Sequence, residues 1–250
     1  MTGAVSKFLV LLLTAFSSFA VTEIKVITYY NYSPWIELNS SFAQLLNENL
    51  KSKYKFVASY VPRKRVDQLL GTDEKILVPF TSPKFFDDFE KTKYSWSSTI
   101  FTDHSYYISK ISSPFIYKDE SSYSGKKFSG ILGHNYADLD DAIKSKKLEI
   151  EYAPSTVAAV TKVFTNKRNL DFSVIDTSTL NGMERLGSLI KGQYILSNRP
   201  GYSRLERMVL VSHGTRLYKE ELLRAIDVIG KSKKWLKIIS NYQELSGIRP

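Results

Sequence analysis

The order of strand-like and helix-like segments is the feature that most constrains the fold of this 250-residue chain. Residues 23–30 (EIKVITYY), 54–60 and 76–80 are rich in β-branched and aromatic residues, which predicts strands. Residues 41–50 and 63–70 lie between them and carry apolar side chains at helical spacing. Because strand and helix alternate strictly, these residues predict a parallel α/β sheet.

A second alternating unit begins at Gly125. Ser155 and Ser178 are expected to cap two of its helices. Its predicted strands and helices follow one another at residues 128–132, 138–145, 148–152, 155–164, 171–175, 178–189 and 193–196.

Two extended segments, residues 105–111 and 207–211, bracket the second unit, and the chain then ends in two amphipathic helices. Helices with an apolar face need a core, and the simplest arrangement packs them on the first unit. The backbone then passes twice between the units. Such a chain has a two-strand hinge and an interlobe cleft at the carboxyl ends of its strands.

This arrangement predicts a division of the chain into two lobes. We expect residues 21–108 and 212–250 to form lobe 1 and residues 109–211 to form lobe 2. The fold class is therefore α/β and two-lobed.

The first 20 residues predict the compartment. One cation, Lys7, precedes a mostly apolar run, and Ser18-Phe19-Ala20 places small residues where a signal peptidase cleaves. This order is typical of a secretory signal peptide over residues 1–20, and it predicts a periplasmic protein. An uncleaved anchor is the alternative, although the apolar run is short for a membrane span.

Composition argues against several kinds of function. The chain has no cysteine, which removes thiol catalysis, zinc-thiolate sites and iron–sulfur clusters. Its histidines, His104, His134 and His213, are too far apart in sequence to form a metal-binding motif. The net charge is +10, but the 35 basic residues are scattered among 25 acidic ones. No nucleic-acid-binding motif occurs. We therefore expect no cofactor, no metal, no nucleic-acid partner and no catalytic residues.

Several segments, taken in order, resemble the type II periplasmic solute-binding proteins of the amino-acid group, family 3. Their order and spacing carry the resemblance, and each is short. They are Tyr32-Ser33-Pro34-Trp35, Arg65 to Gly71, Tyr94-Ser95-Trp96-Ser97 leading to Tyr106-Tyr107-Ile108, Gly125 to Gly133, Asn169 to Asp176 and Trp235 to Tyr242.

The resemblance implies closure of two lobes on a small solute and, in many members, delivery to a membrane permease. We also expect the chain to be a monomer. The resemblance implies that Tyr32 or Trp35 stacks on the ligand. It also implies an arginine for the ligand carboxylate, where this chain has Lys84, so amino-acid specificity stays open. In the second lobe, the resemblance implies a helix N-terminus at Gly133 to Tyr136, with His134 and Asn135, and an acid for the ligand ammonium, Asp176.

Each candidate also has a simpler interpretation. Tyr32 and Trp35 could pin a turn to the core, and Asp176 could cap a helix. The remaining candidates could be surface or packing residues without contact to a solute; they are Arg65, Lys84, Trp96 and His134.

The sequence therefore predicts a solute-binding protein that captures an amino-acid-like or anionic molecule, for ABC-type uptake. Two alternatives are a ligand-sensing module for a membrane receptor and an enzyme, such as a small dehydratase, on the same fold.

Overall fold

The computed structural model of this chain describes residues 21–51, 53–165 and 169–243. The predicted signal peptide, residues 1–20, lies outside these ranges. None of the helices formed within them has both the length and the apolar character needed to cross a bilayer.

The first sheet is built from six strands in the order β2-β1-β3-β11-β4, with β5 paired to β11. The first three run parallel, and β11 pairs antiparallel with β3, β4 and β5. The strands are β1 (Thr22–Thr28), β2 (Tyr54–Tyr60), β3 (Ile76–Thr81), β4 (Ser95–Trp96), β5 (Phe101–Asp103) and β11 (Leu205–Val211), and the helices are α1 (Trp35–Asn49), α2 (Arg63–Leu70), α6 (Lys219–Lys231) and α7 (Lys233–Gln243).

The second sheet has five strands in the order β10-β6-β9-β7-β8. Here β8, β7 and β9 are parallel, and β6 is antiparallel to β9 and to β10. The elements are β6 (Ser105–Lys110), β7 (Lys126–Ile131), α3 (Asp140–Lys144), β8 (Leu148–Ala153), α4 (Thr156–Phe164), β9 (Phe172–Asp176), α5 (Thr177–Arg185) and β10 (Tyr194–Asn198). Three short 3-10 helices complete the described secondary structure, at Pro83–Phe86, Glu120–Tyr123 and His213–Tyr218.

The backbone crosses between the sheets twice, as predicted. Only His104 separates β5 of the first sheet from β6 of the second, and residues 199–204 connect β10 back to β11. We call the elements around the first sheet the first lobe, and those from β6 to α5 and β10 the second lobe.

The chain passes from one sheet to the other at positions that differ from the predicted lobe limits. The limit after residue 108 falls inside β6, which belongs to the second sheet throughout. The limit after residue 211 leaves β11 on the wrong side, because β11 pairs with β3. An extended apolar segment has the same pattern whichever sheet it joins, so sequence alone could not assign these strands.

The tail helices pack on the first lobe, also as predicted. The Trp235 ring of α7 is fully buried, stacks on Phe80 at 5.9 Å between centroids and contacts Phe42 of α1 edge-on. Its Nε1 donates to the carbonyl of Ile100 at 2.7 Å. These contacts close the core of the first lobe with residues from the C-terminal part of the chain.

Two predicted helix starts need correction. The first helix begins at Trp35, six residues before the predicted Ser41, so Trp35 faces the core from the first helical turn. Ser155 caps α4 as expected, but the cap of α5 is Asp176 and not Ser178. Asp176 is the last residue of β9, and its carboxylate accepts the backbone N–H of Thr179 at 2.8 Å.

Candidate functional site

A small cavity lies where the two lobes meet. Its volume is about 30 Å³, enough for roughly two water molecules. The first lobe contributes Tyr30, Phe85, Leu205 and Arg207 to its wall. The second lobe contributes Ser105, Ile131, His134, Thr156, Val174, Ile175, Asp176 and Arg199.

These positions follow from the topology. Tyr30 comes after β1, Phe85 after β3, Ile131 ends β7 and Asp176 ends β9. The carboxyl ends of the parallel strands of both sheets therefore meet at one gap, which is where open α/β sheets place their ligands. The walls are in close contact here, so a solute of amino-acid size needs the lobes to separate.

Arg207 is the centre of a buried charge cluster at this gap. Its guanidinium is 1% exposed and lies 3.1 Å from the carboxylate of Asp176 and 3.3 Å from that of Asp103. Nη1 also donates to the Tyr30 hydroxyl at 2.7 Å and to the Phe80 carbonyl at 3.0 Å. Because Arg207 lies on β11 and Asp176 ends β9, this ion pair joins the two lobes.

A second buried arginine is held within the second lobe. Arg199 forms a bidentate pair with Asp138, with both N–O distances 2.7 Å. Its third nitrogen donates to the Ser105 hydroxyl at 3.1 Å, and its guanidinium lies 3.8 Å from the centre of the Tyr202 ring. The fork geometry fixes the guanidinium at the start of the second crossing.

Two nitrogen atoms on the cavity wall have no hydrogen-bond partner among the described residues, Arg207 Nε and His134 Nδ1. Burial holds the pKa of His134 well below its usual range, and the charges of Arg63, Arg199 and Arg207 act in the same direction. The imidazole is therefore neutral at physiological pH. Since an unpaired buried polar atom is unfavourable, these two atoms favour a polar group in the cavity.

His134 and Asp176 are the two predicted site residues that reach the cavity wall. Asp176 also caps α5, so the two interpretations of this residue are compatible. Its Oδ1 accepts from the Thr179 N–H and hydroxyl, and its Oδ2 pairs with Arg207. A ligand ammonium would therefore compete with Arg207 for this carboxylate.

Tyr32 and Trp35 do not line the cavity and pack behind the residues that do. Trp35 is fully buried and stacks on Tyr30 at 4.9 Å between centroids. Its Nε1 donates to the Thr179 hydroxyl of the second lobe at 3.1 Å, and the Tyr32 hydroxyl lies 3.3 Å from the same oxygen. In this arrangement both aromatic residues contact the opposite lobe, and their predicted contact with a solute stays a prediction.

The other four candidates lie away from the cavity wall. Lys84 donates to the carbonyl of Gly201 at 2.8 Å, and its own carbonyl accepts from Asn135 at 3.2 Å. Trp96 donates to Asp88 at 2.7 Å inside the first lobe. Arg65 is exposed and bonds Gln68. Their roles in solute binding remain predictions.

The helix expected to begin after Gly133 does not form. Residues 132–139 are turns and loop, and α3 begins only at Asp140. Gly133 has a φ of +83° and lies against Lys64 and Asp67 of α2. The His134 ring packs between Phe85 and Tyr136, with centroids 4.4 and 4.6 Å away. Aromatic packing, and not a helix dipole, places this loop at the cleft.

Sequence reasoning missed the residues that dominate the charge of the site. Arg199, Arg207 and Asp103 are all buried there, yet they lie in or beside extended segments without any motif. Of the three cations at residues 63–65, Arg63 and not Arg65 is buried; it bonds Asp67 and lies over the Phe86 ring at 3.9 Å. The alternation of side chains along β11 was the only available signal.

The comparisons with known proteins agree with this architecture. No family model matches the chain, and no curated protein matches it. Among solved structures, an ancestral arginine-binding protein bound to arginine matches with a TM-score of 0.70 at 14% identity, over 88% of this chain and 97% of the other. The chain has the two-lobed fold of solute-binding proteins.

Two further structures share this solute-binding fold. An amino acid ABC transporter substrate-binding protein from Streptococcus pneumoniae, bound to L-arginine, matches with a TM-score of 0.66 at 12% identity, over 91% and 97% of the two chains. An ancestral amino-acid-binding protein described as a precursor of cyclohexadienyl dehydratase matches with a TM-score of 0.64 at 14% identity, over 88% and 95%. At these identities the likeness establishes the fold alone.

Over residues 21–51, 53–165 and 169–243, no group of three or more metal-ligating side chains is present.

Asp103 gives the buried charge cluster a distinctive pH dependence. Burial, reinforced by the negative charge of Asp176, raises the pKa of Asp103 to about 7, although Arg207 opposes the shift. The folded chain then holds a proton that the unfolded chain loses near pH 4. Between these values the unfolded state binds fewer protons, so this group lowers the free energy of unfolding as pH rises.

We therefore expect Asp103→Asn to match the wild type at pH 4 to 5 and to be more stable by about 2 to 4 kcal/mol at pH 8. Urea unfolding at both pH values measures the difference in unfolding free energy between the variant and the wild type. Groups that titrate alike in the two proteins cancel in this difference. Asp141→Asn, at an exposed site, is the control and should follow the wild type at both pH values. A variant that is less stable than the wild type at pH 8 contradicts the expectation.

The Thr179 hydroxyl contacts both Trp35, which is fully buried, and Tyr32, which is partly buried. Thr179→Val keeps the shape but leaves the buried Trp35 Nε1 without an acceptor, so we expect a loss of about 1 to 3 kcal/mol in unfolding free energy. Thr179→Ser keeps the hydroxyl and should lose less than half as much. A loss in Thr179→Val that is no larger than the loss in Thr179→Ser, measured by urea unfolding, would contradict a stabilising role of the hydroxyl.

Proposed function

We propose that this protein is a periplasmic solute-binding protein that captures a small polar, amino-acid-like solute by hinge closure. The observation that carries the proposal is the cavity at the lobe junction, where buried charged groups from both lobes converge. Two chain crossings, one of them a single residue long, connect the lobes and permit a hinge motion.

The charge balance of the junction favours a zwitterionic or neutral solute over a net anion. Arg199 is neutralised by Asp138, while Arg207 is shared between Asp103 and Asp176. Neutral His134 adds no charge at physiological pH. Both described cations on the cavity wall are already paired, so a buried net anion would compete for them, and uncompensated buried charge is strongly unfavourable.

The export signal predicted at residues 1–20 supports a periplasmic location. An ABC-type permease is the partner we propose, since a structural neighbour is described as the substrate-binding protein of such a transporter. We propose that the chain acts as a monomer and binds its solute without turning it over.

A thermal-shift screen of amino acids and other zwitterions, with organic anions for comparison, tests the proposal. A solute present at about 100 times its Kd should add about 2.7 kcal/mol of stability, a shift of several degrees in Tm. His134→Phe keeps a ring between Phe85 and Tyr136 but removes both nitrogens, and should abolish the shift.

His213→Phe is the matched control, because that ring packs on Tyr94 in the first lobe, away from the cavity. It should bind the solute as the wild type does. The proposal fails if no zwitterion or neutral solute raises Tm, or if both histidine variants bind equally. Product formed from a bound solute would overturn the binding-only role.

A further inference from the structure

A second pocket lies on the first lobe, beside the second crossing. Its volume is about 240 Å³, several times that of the cavity between the lobes. Its apolar surface comes from Pro83, Phe89, Leu205 and Met208. Pro83, Leu205 and Met208 are buried, whereas the Phe89 ring is 48% exposed. This volume lies just below the usual range for pockets that bind small molecules.

The charge at this pocket is strongly positive. Three cations, Lys84, Lys91 and Arg204, and one carboxylate, Glu206, line it, which leaves an excess of two positive charges. Glu206 lies 3.7 Å from Arg204, with both side chains largely exposed. Within the described part of the chain, Lys91 Nζ has no hydrogen-bond or ion-pair partner. An anion would therefore find an unpaired ammonium here.

The loop that carries Phe89 and Lys91 is held in one conformation. Buried Asp88 accepts three backbone N–H groups and one indole N–H, from Thr92, Lys93, Tyr94 and Trp96. These bonds hold the pKa of Asp88 below its usual value, although burial opposes them. The loop thus presents an exposed aromatic ring beside a free cation on a fixed support, which is the preorganisation that a binding site needs.

This pocket is separate from the cavity between the lobes. Side chains alternate along β11, so Glu206 and Met208 line the second pocket while Arg207 lines the cavity. Leu205 contributes to both walls. Beyond Leu205, the two sites use side chains from opposite faces of β11.

We propose that this pocket binds a small organic anion with an apolar body, best matched by an aromatic monocarboxylate. The carboxylate pairs with Lys91 and Arg204 at the rim, and the ring packs against Phe89 and Met208. The ligand class differs from that proposed for the cavity between the lobes, and the two proposals stand independently.

Benzoate is a suitable probe, since a ligand of about nine non-hydrogen atoms should bind with a Kd near the millimolar range. Chemical-shift titration of the isotope-labelled full chain should show saturable changes at the amides of residues 84–91 and 205–208. Phe89→Ala and Lys91→Gln should each weaken binding about three- to tenfold. Benzyl alcohol, which lacks the charge, should bind at least several-fold more weakly than benzoate.

Lys93→Gln is the matched control, because Lys93 lies on the same loop, already pairs with Asp87 and does not line the pocket. It should leave benzoate binding unchanged. The proposal is overturned if benzoate produces no saturable shift in the millimolar range, if the shifts map to residues 131–136 and 174–176, or if Phe89→Ala and Lys91→Gln bind as tightly as Lys93→Gln.

Discussion

Replacement of Arg207 by methionine is expected to lower the free energy of unfolding by about 3 to 5 kcal/mol at pH 8. The variant keeps a long side chain but leaves Asp103 and Asp176 as buried carboxylates without their cation. It also removes the donor to the Tyr30 hydroxyl and to the Phe80 carbonyl. For a chain of this size the loss corresponds to a fall in Tm of about 10 °C, which calorimetry measures directly.

The loss should shrink at pH 5, where Asp103 is protonated and no longer needs the cation. Adding Asp176→Asn to Arg207→Met should restore part of the stability at pH 8, since asparagine removes the second charge and still caps a helix. Arg216→Met is the control; its side chain is 72% exposed, so we expect a change within about 0.5 kcal/mol. A loss in Arg207→Met that is independent of pH would contradict this account.

Much of the fold could be predicted because strands and helices are encoded by residues that are close together in the sequence. The strand and helix periodicities lie within windows of about 10 residues, and they were enough to indicate two α/β units and two crossings. The assignment of β6 and β11 to their sheets depends on contacts between residues far apart in the sequence. Each is an extended apolar segment, and only its hydrogen-bonded neighbour decides which lobe it joins.

The candidate site was less predictable for the same reason. Asp176 and His134 were identified through the family resemblance, and both line the cavity. Arg207 gave no such signal. Its partners Asp103 and Asp176 are separated from it by 104 and 31 positions in the chain. Their meeting depends on the register of β11 against β5 and on the approach of the lobes.

Trp35 illustrates a different limit. An aromatic residue after the first strand is equally suited to contact a ligand or a core. The helix α1 starts six residues earlier than predicted, and the Trp35 indole packs inward against Tyr30 and donates to Thr179 of the other lobe. The contacts between the lobes thus use the residues that the sequence suggested for solute recognition.

Gly182→Ala is the second substitution for which we expect a large effect, because Gly182 lies where α5 of the second lobe meets the turn before α1. A Cβ atom here would overlap the carbonyl oxygen of Ser33 and lie 3.0 Å from its carbonyl carbon. Both atoms belong to backbone, so the strain cannot relax by rotating a side chain. The lobes must move apart at this point, with loss of the nearby contacts from Thr179 to Trp35 and from Asn181 to the Tyr242 carbonyl.

The sign of the change in unfolding free energy tests whether the two lobes are in contact at Gly182. Glycine to alanine inside a helix normally stabilises by about 1 kcal/mol, whereas overpacking at a rigid contact destabilises by about 1 to 3 kcal/mol. Gly230→Ala in α6 is the control: its Cβ would meet the Ile100 side chain at 3.3 Å, entirely within the first lobe. We expect Gly182→Ala to unfold at lower urea and to show a larger radius of gyration by X-ray scattering, while Gly230→Ala keeps the wild-type radius. If Gly182→Ala were as compact and as stable as the control, the two lobes would not be in contact there in solution.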